Sequence, residues 1–175
     1  IQGARASGAG KIIAVDVHEE KLEMAKKFGA THTILNRRNV DEVVKEVMEI
    51  TWGEGSDFSF EFVGWDQSPH TLDIAFQSVR KGGTMVMVGV ASQHLESKMP
   101  IIPRDVVNLR KKIKGVLFGD AQFQVDIPRY VTLYEQKQID LDGLVSAEFT
   151  LDDINTCVEN VLAGNKVARQ VIRYD

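Results

Sequence analysis

Short apolar runs, each bounded by glycine or charge and set between helix-like stretches, constrain this chain more than any other feature. They are Lys11–Val17 (KIIAVDV), Phe58–Val63 (FSFEFV), Thr84–Val90 (TMVMVGV) and Ile113–Phe118 (IKGVLF), with a shorter strand-like piece at Thr33–Leu35. Successive residues of a strand point to opposite faces. A run that stays apolar through both faces needs cover on both, as the strands of parallel sheets do. Phe58–Val63 differs in setting Phe58, Phe60 and Phe62 on a single face. Apolar strands alternating with helices predict an α/β fold, a doubly wound, Rossmann-like parallel sheet.

The helices between these strands are equally readable. Glu19–Phe28 predicts an amphipathic helix with Leu22, Ala25 and Phe28 on one side. Its acidic start and lysine-rich end suit the helix dipole, and Gly29 stands where a left-handed cap would stop it. Val40–Ile50 predicts a helix burying Val40, Val43, Val44, Val47 and Met48. Ser68-Pro69 opens another, with Ser68 as N-cap, Pro69 at the first helical position and Leu72, Ala75, Phe76 and Val79 as its apolar stripe. Glycines 82 and 83 then turn the chain into the Thr84 strand, and Val106–Lys112 reads as a further helix. From Asp120 the rhythm changes. A helix is expected over Ile127–Glu135 with Pro128 at its first position, a Thr150-capped helix over Leu151–Leu162, and a last strand at Val171–Tyr174. The organisation therefore divides into residues 1–119 and residues 120–175.

Charge and cysteine content exclude several classes of function. Lysine and arginine number 21 against 25 acidic residues, a net charge of −4. That balance gives no electrostatic reason to bind nucleic acid, which needs clustered cations. The longest basic run, Arg110-Lys111-Lys112, reads as the solvated end of a helix. The lone Cys157 excludes an intramolecular disulfide framework and a cysteine-rich zinc lobe, and its place on an apolar helical stripe reads as a core thiol. No apolar run approaches the ~18 residues of a membrane span and no signal-peptide pattern opens the chain, so the expected compartment is the cytoplasm. Ile1–Ser7 reads as the last turns of a helix with no initiator methionine, so the natural length is expected to exceed 175 residues.

Asp16 is the residue with a chemical message. It stands at the carboxyl end of a strand and just before a helix. In a dinucleotide-binding sheet an acid there accepts hydrogen bonds from the adenosine ribose, and its charge repels a 2′-phosphate, favouring NAD over NADP. An Asp after a strand can equally cap the following helix. The glycine fingerprint of such sheets belongs ~20 residues upstream of that acid, which falls before Ile1. Gly8-Ala9-Gly10 is no substitute, because it precedes a strand and the third-glycine position holds Ile13.

Several strings together carry a resemblance: GAGKIIAVDV, then HEEKLEMAKKFGATH, DFSFEFVG (Asp57–Gly64), GGTMVMVGV (Gly82–Val90), IKGVLFG (Ile113–Gly119) and VARQVIRY (Val167–Tyr174). Their order and content resemble the second half of the zinc-type medium-chain alcohol dehydrogenases. The resemblance implies a cofactor-binding Rossmann-like domain over 1–119, lacking its first strand and glycine loop, and a C-terminal segment of the catalytic domain over 120–175. It implies that Asp16 holds the adenosine ribose and that Lys21 reaches the same sugar. Val63 and Gly64 would lie beside the adenosine side of the cofactor. Val88, Val116 and Phe118 would present backbone groups to the nicotinamide carboxamide, Gly89 and Val90 would line that pocket, and Arg169 would meet the pyrophosphate. Lys21 also suits a solvated helix face, Arg169 a local ion pair, and the valines a core with no ligand at all. Gly89 has a physical reason of its own, since glycine at a strand end permits close approach.

The same resemblance implies hydride transfer between NAD and a primary or secondary alcohol, a homodimer or homotetramer joined partly through residues 101–118, and a catalytic zinc. The zinc ligands would lie in the half not represented here. His18, His32, His70 and His94 are scattered without ligand spacing, and His94 with Glu96 makes no metal site. No catalytic or metal residue is therefore expected in this chain, and the fragment is expected to be inactive alone. Removing strand 1 from the order 3-2-1-4-5-6 would leave two facing edges, either filled by other chain or closed on each other. Three other readings compete. A zinc-free quinone oxidoreductase of the same superfamily would favour NADP, against Asp16. An S-adenosylmethionine-dependent methyltransferase lacks its Asp/Asn-Pro-Pro-aromatic segment after the Phe58 strand. A non-enzymatic nucleotide-sensing domain does not account for the tail beyond Gly119.

Overall fold

The computed structural model describes residues 1–63, 68–90, 101–163 and 169–174. Its elements run α1 (Gln2–Ala6), β1 (Ile13–Asp16), α2 (Glu19–Lys27), β2 (His32–Leu35), α3 (Val40–Ile50), β3 (Ser56–Glu61) and α4 (Ser68–Ser78). They continue β4 (Val79–Met87), α5 (Pro103–Leu109), β5 (Lys112–Gly115), α6 (Phe123–Glu135), β6 (Val145–Phe149), α7 (Ile154–Leu162) and β7 (Arg169–Ile172). The strands form three sheets, β1-β2, β3-β4-β5 and β6-β7. The second and third sheets are parallel. In the first, Thr31 N donates to Ile12 O at 2.8 Å and Asn36 N to Asp16 O at 2.9 Å, so these strands run the same way. The expected α/β fold with parallel sheets is observed. Among the described residues β1 and β3 belong to separate sheets, so the two half-sheets have not zipped together.

The chain comprises two compact units: Ile1–Ala14, His18–Thr33 and Phe123–Asp175 in one, Val15–Val17 and Ile34–Gln122 in the other. In the second unit the core gathers Leu72, Ala75 and Phe76 of α4, with Val79, which opens β4 instead of ending the helix, around Met85, which is fully buried. These are the four stripe residues expected from the 3.6-residue period. Helix α3 packs on α4 and begins where Asn39 Oδ1 accepts from Glu42 N, a side-chain N-cap. It buries Val43 and Val47, whereas Val40, Val44 and Met48 are only half covered. At Gly55 (φ +89°) an added Cβ would stand 2.8 Å from Arg80 N and 2.9 Å from Ser78 O, so this turn has room only for glycine.

Helix α4 covers one face of β3. Ser59 Oγ donates to Ala75 O at 2.8 Å, and Glu61 on the same face receives the Thr71 hydroxyl at 2.7 Å. The opposite face presents Phe58, Phe60 and Phe62, all exposed, their rings stacked at 6.3 and 6.4 Å between centroids. Among the described residues this sheet is therefore covered on one face only, short of the two-sided cover expected.

In the first unit, Leu22, Ala25 and Phe28 of α2 are buried as the apolar spacing requires, and Gly29 follows at φ +108°. Gln2 Nε2 donates to Asp140 O at 2.8 Å and Arg5 Nη2 to Gln138 O at 3.0 Å, tying α1 to the loop after α6. Cys157 is buried and free, as expected of a core thiol.

Several sequence expectations are corrected. Helix α6 starts at Phe123, so Pro128 lies inside it and forfeits one helical hydrogen bond instead of opening the helix. Thr150 does not cap an α-helix. Its hydroxyl meets Asp153 Oδ2 at 2.9 Å, Leu151–Asp153 forms a 3₁₀ turn, and α7 begins at Ile154. Strand β6 was not expected; it alternates apolar and polar residues weakly and owes its pairing to β7. The basic run is no solvated helix end. Arg110 stands in the left-handed conformation after α5, and Lys112 opens β5. Lys111 Nζ donates to Phe76 O (2.7 Å) and Gln77 O (3.2 Å), capping the carbonyls at the end of α4, and it lies 4.9 Å over the Phe76 ring. Burial pulls its pKa below the usual lysine value, with Asp105 opposing.

Candidate functional site

The carboxyl ends of parallel strands are where open α/β sheets bind ligands, and the predicted residues of the second unit gather there. Val63 follows the end of β3, Val88 and Gly89 follow β4, and Val116 follows β5. Main-chain hydrogen bonds lace these three ends. Val88 N (2.9 Å) and Gly89 N (3.0 Å) both donate to Glu61 O, and Val116 N donates to Met87 O at 3.0 Å. Val63 N turns back onto the Glu61 carboxylate, at 2.8 Å from Oε1. Val63 is 42% exposed and Val90 more so, so this rim faces outward. Gly64, predicted beside Val63, lies outside the described residues, as do His94 and Glu96 of the polar loop.

Gly89 has a specific reason to be glycine. An added Cβ would collide with the Val63 carbonyl oxygen and stand 2.7 Å from Glu61 Oε2. Contacts under about 3 Å to a backbone oxygen leave no place for a methyl group, so the neighbouring strand end itself demands glycine here.

Phe118 sits in a 3₁₀ turn after β5 where Phe118 (φ +49°), Gly119 (φ +70°) and Asp120 (φ +55°) all adopt left-handed backbone. Two non-glycine residues in that region store strain, which concentrates at functional positions. Phe118 is 77% exposed. Asp120 is tied by Lys114 Nζ at 2.8 Å, and that hydrogen bond holds its carboxyl below the usual range.

The remaining predicted residues stand apart in the chain. Asp16 ends β1, its carbonyl receiving Asn36 N, and its side chain is half-buried. Lys21 is exposed in the first turn of α2, which opens at His18. Arg169 begins β7, is exposed, and exchanges main-chain hydrogen bonds with the Ser146 hydroxyl at 2.9 and 3.2 Å.

Glu61 went unnoticed in the sequence, where it is one polar residue in FSFEFV. It is 3% exposed at the end of β3, and burial raises its pKa above the ordinary carboxylate value, against the hydrogen bonds from Thr71 and Val63. A glutamate on the helix-facing side of an otherwise aromatic strand was the available signal. Among the described residues no cluster of three His, Cys, Asp or Glu could hold a metal, and Cys157 is enclosed in α7. No helix of the described residues is long and apolar enough to cross a membrane.

The sequence model of the zinc-binding dehydrogenases matches residues 1–136. The chain belongs to that family. An NDMA-dependent alcohol dehydrogenase from Amycolatopsis methanolica is 35% identical over 175 residues, a match covering 99% of this chain and 45% of the relative. The alcohol dehydrogenase-like 5 protein of Arabidopsis thaliana is 37% identical over 172 residues, covering 95% of this chain and 41% of the relative. Among solved structures, benzyl alcohol dehydrogenase from Acinetobacter calcoaceticus superposes with a TM-score of 0.87 at 30% identity, over 99% of this chain and 45% of that one. The chain of this zinc-binding dehydrogenase thus spans less than half the length of the relatives it matches. The resemblance read from its strings to the second half of zinc-type alcohol dehydrogenases is borne out.

Proposed function

We propose that this chain is the cofactor-binding part of a zinc-dependent alcohol dehydrogenase that transfers a hydride between NAD and a primary or secondary alcohol. The observation that carries the reading is the laced rim of strand ends, Val63, Val88, Gly89 and Val116, in a chain of the zinc-binding dehydrogenase family. NAD supplies the hydride acceptor when bound. Asp16 receives the adenosine ribose hydroxyls and Lys21 reaches the same sugar. Val63 and Gly64 border the adenosine, Arg169 meets the pyrophosphate, and Val88, Val116 and Phe118 address the carboxamide, with Gly89 and Val90 lining its pocket. The outward rim and the strained, exposed Phe118 support these roles.

Residues 1–119 form the cofactor-binding domain and residues 120–175 a segment of the catalytic domain. The zinc ligands belong to a part of the enzyme outside this chain, which spans less than half the length of its relatives. The enzyme acts on a small alcohol or aldehyde in the cytoplasm and assembles as a homodimer or homotetramer. The exposed Val107, Leu117 and Phe118 within and beside residues 101–118 favour that region as the joint. The deciding experiment is cofactor preference. In the enzyme carrying this chain, replacing Asp16 with Gly and Val17 with Arg should shift kcat/KM from NAD toward NADP. Unchanged NAD preference would remove Asp16 from the ribose role.

A further inference from the structure

We infer that Glu61 is the positioning residue of the cofactor rim: it touches no cofactor, and its buried carboxyl and carbonyl hold the backbone that does. The inference rests on the cofactor reading above. Glu61 grips three segments at once. Its Oε1 accepts from Val63 N (2.8 Å) and from the Thr71 hydroxyl (2.7 Å), fixing the turn after β3 to the start of α4. Its main-chain oxygen accepts from both Val88 N and Gly89 N, fixing the end of β4. Through Met87 O and Val116 N the same lacing continues to β5.

Glu61 is 3% exposed, and its Oε2 is buried with no hydrogen-bond partner among the described residues. A buried polar atom left unpartnered is costly and rare enough to need a reason. An apolar side chain would fill the same space without that penalty, yet it could accept nothing from Val63 N or Thr71. The geometry gives Oε2 a second consequence. It stands 2.7 Å from the place a Cβ on residue 89 would occupy, so the carboxyl joins the Val63 carbonyl in excluding a side chain there. A buried carboxyl is thus kept where it joins Thr71 of α4 to Val63 N, backbone that rims the proposed site. Pre-organised backbone is what makes a ligand's hydrogen bonds effective, because little reorganisation is left to binding.

The test uses the enzyme carrying this chain, ¹⁵N-labelled, as wild type, Glu61→Gln and Glu61→Leu. Amide hydrogen exchange is measured without cofactor, and amide shifts are then followed while NAD is titrated to millimolar concentration. Gln keeps an acceptor for Val63 N and Thr71; Leu keeps the volume alone. We expect the Val63 amide to exchange about tenfold faster or more in Glu61→Leu and within about threefold of wild type in Glu61→Gln, the scale of losing one hydrogen bond to a buried acceptor. The shifts that NAD induces at Val63, Val88, Gly89 and Val116 should persist in Glu61→Gln and vanish in Glu61→Leu, while amides of α3 keep their wild-type exchange in both. Equal exchange in wild type and Glu61→Leu overturns the positioning role whatever NAD does. Faster exchange with undiminished NAD shifts also overturns it, leaving Glu61 a purely structural residue. Absence of any NAD response in the wild-type enzyme instead defeats the cofactor reading, and the positioning role falls with it.

Discussion

Adding one methyl group at residue 89 should disrupt this protein far more than adding one at residue 115. Both glycines lie at the ends of adjacent strands of one sheet, and neither has a positive φ, so the comparison isolates space from backbone conformation. At Gly115 an added Cβ meets nothing within 4 Å. At Gly89 it runs into the Val63 carbonyl, which is backbone, and into the Glu61 carboxylate, whose other oxygen is held by Val63 N and the Thr71 hydroxyl. Over-packing of that kind costs about 1–3 kcal/mol. Moving β4 away stretches the two hydrogen bonds onto Glu61 O, worth about 1 kcal/mol each. Alanine returns about 0.4–1 kcal/mol by narrowing the unfolded ensemble. The net for Gly89→Ala is a loss of about 2–4 kcal/mol, against a change within about 0.5 kcal/mol for Gly115→Ala. Urea unfolding followed by far-UV circular dichroism reads this directly. With a slope of about 2 kcal/mol per molar, the Gly89→Ala midpoint should fall by about 1–2 M at unchanged slope. Midpoints of the two variants within about 0.3 M of each other, on the same slope, would refute the packing argument.

Met85→Ala removes a fully buried side chain from the centre of the Leu72, Ala75, Phe76 and Val79 cluster and should cost about 2–5 kcal/mol in the same assay. Glu61 should give a pH signature of the opposite sign to a salt-bridged acid. Its pKa is raised on folding, so the native state holds the proton more tightly, and stability falls as pH rises from the ordinary value of 4.5 through the raised one. Glu61→Gln should flatten that fall relative to wild type in melts across this window; parallel curves would contradict it. Finally, this chain supplied with zinc and NAD should oxidise no alcohol, measured as NADH absorbance, because no donor cluster for the metal lies among its described residues. Turnover by the pure chain would place zinc ligands where none are read.

The elements governed by local periodicity were legible from the residues. The α3 bounds, Val40–Ile50, follow from valine spacing, and the apolar period read from Ser68 onward names four of the five buried residues of the main core, although Val79 opens β4. Gly29 stops α2 in the left-handed conformation its position implied. Features set by partners distant in sequence were not legible. Lys111 looks solvated beside Arg110 and Lys112 until the carbonyls of Phe76 and Gln77, 35 and 34 residues away, come within reach. Strand β6 exists because β7 lies beside it.

The candidate site divides in the same way. Asp16 and Gly89 could be singled out by residue type and position at strand ends, because the chemistry of a ribose-binding acid or a close approach restricts what can stand there. Glu61 showed itself only as a lone acid in an aromatic strand, since its importance lies in four hydrogen bonds from Val63, Thr71, Val88 and Gly89. By itself the sequence determined which stretches are strands and helices, the parallel α/β class and the family, all of which are carried by periodicity and motif order. Only the tertiary structure decided which glycine has no room for a methyl, which face of β3 stays open and which buried carboxyl holds the rim. Those depend on atoms brought together through space, and no local pattern encodes that proximity.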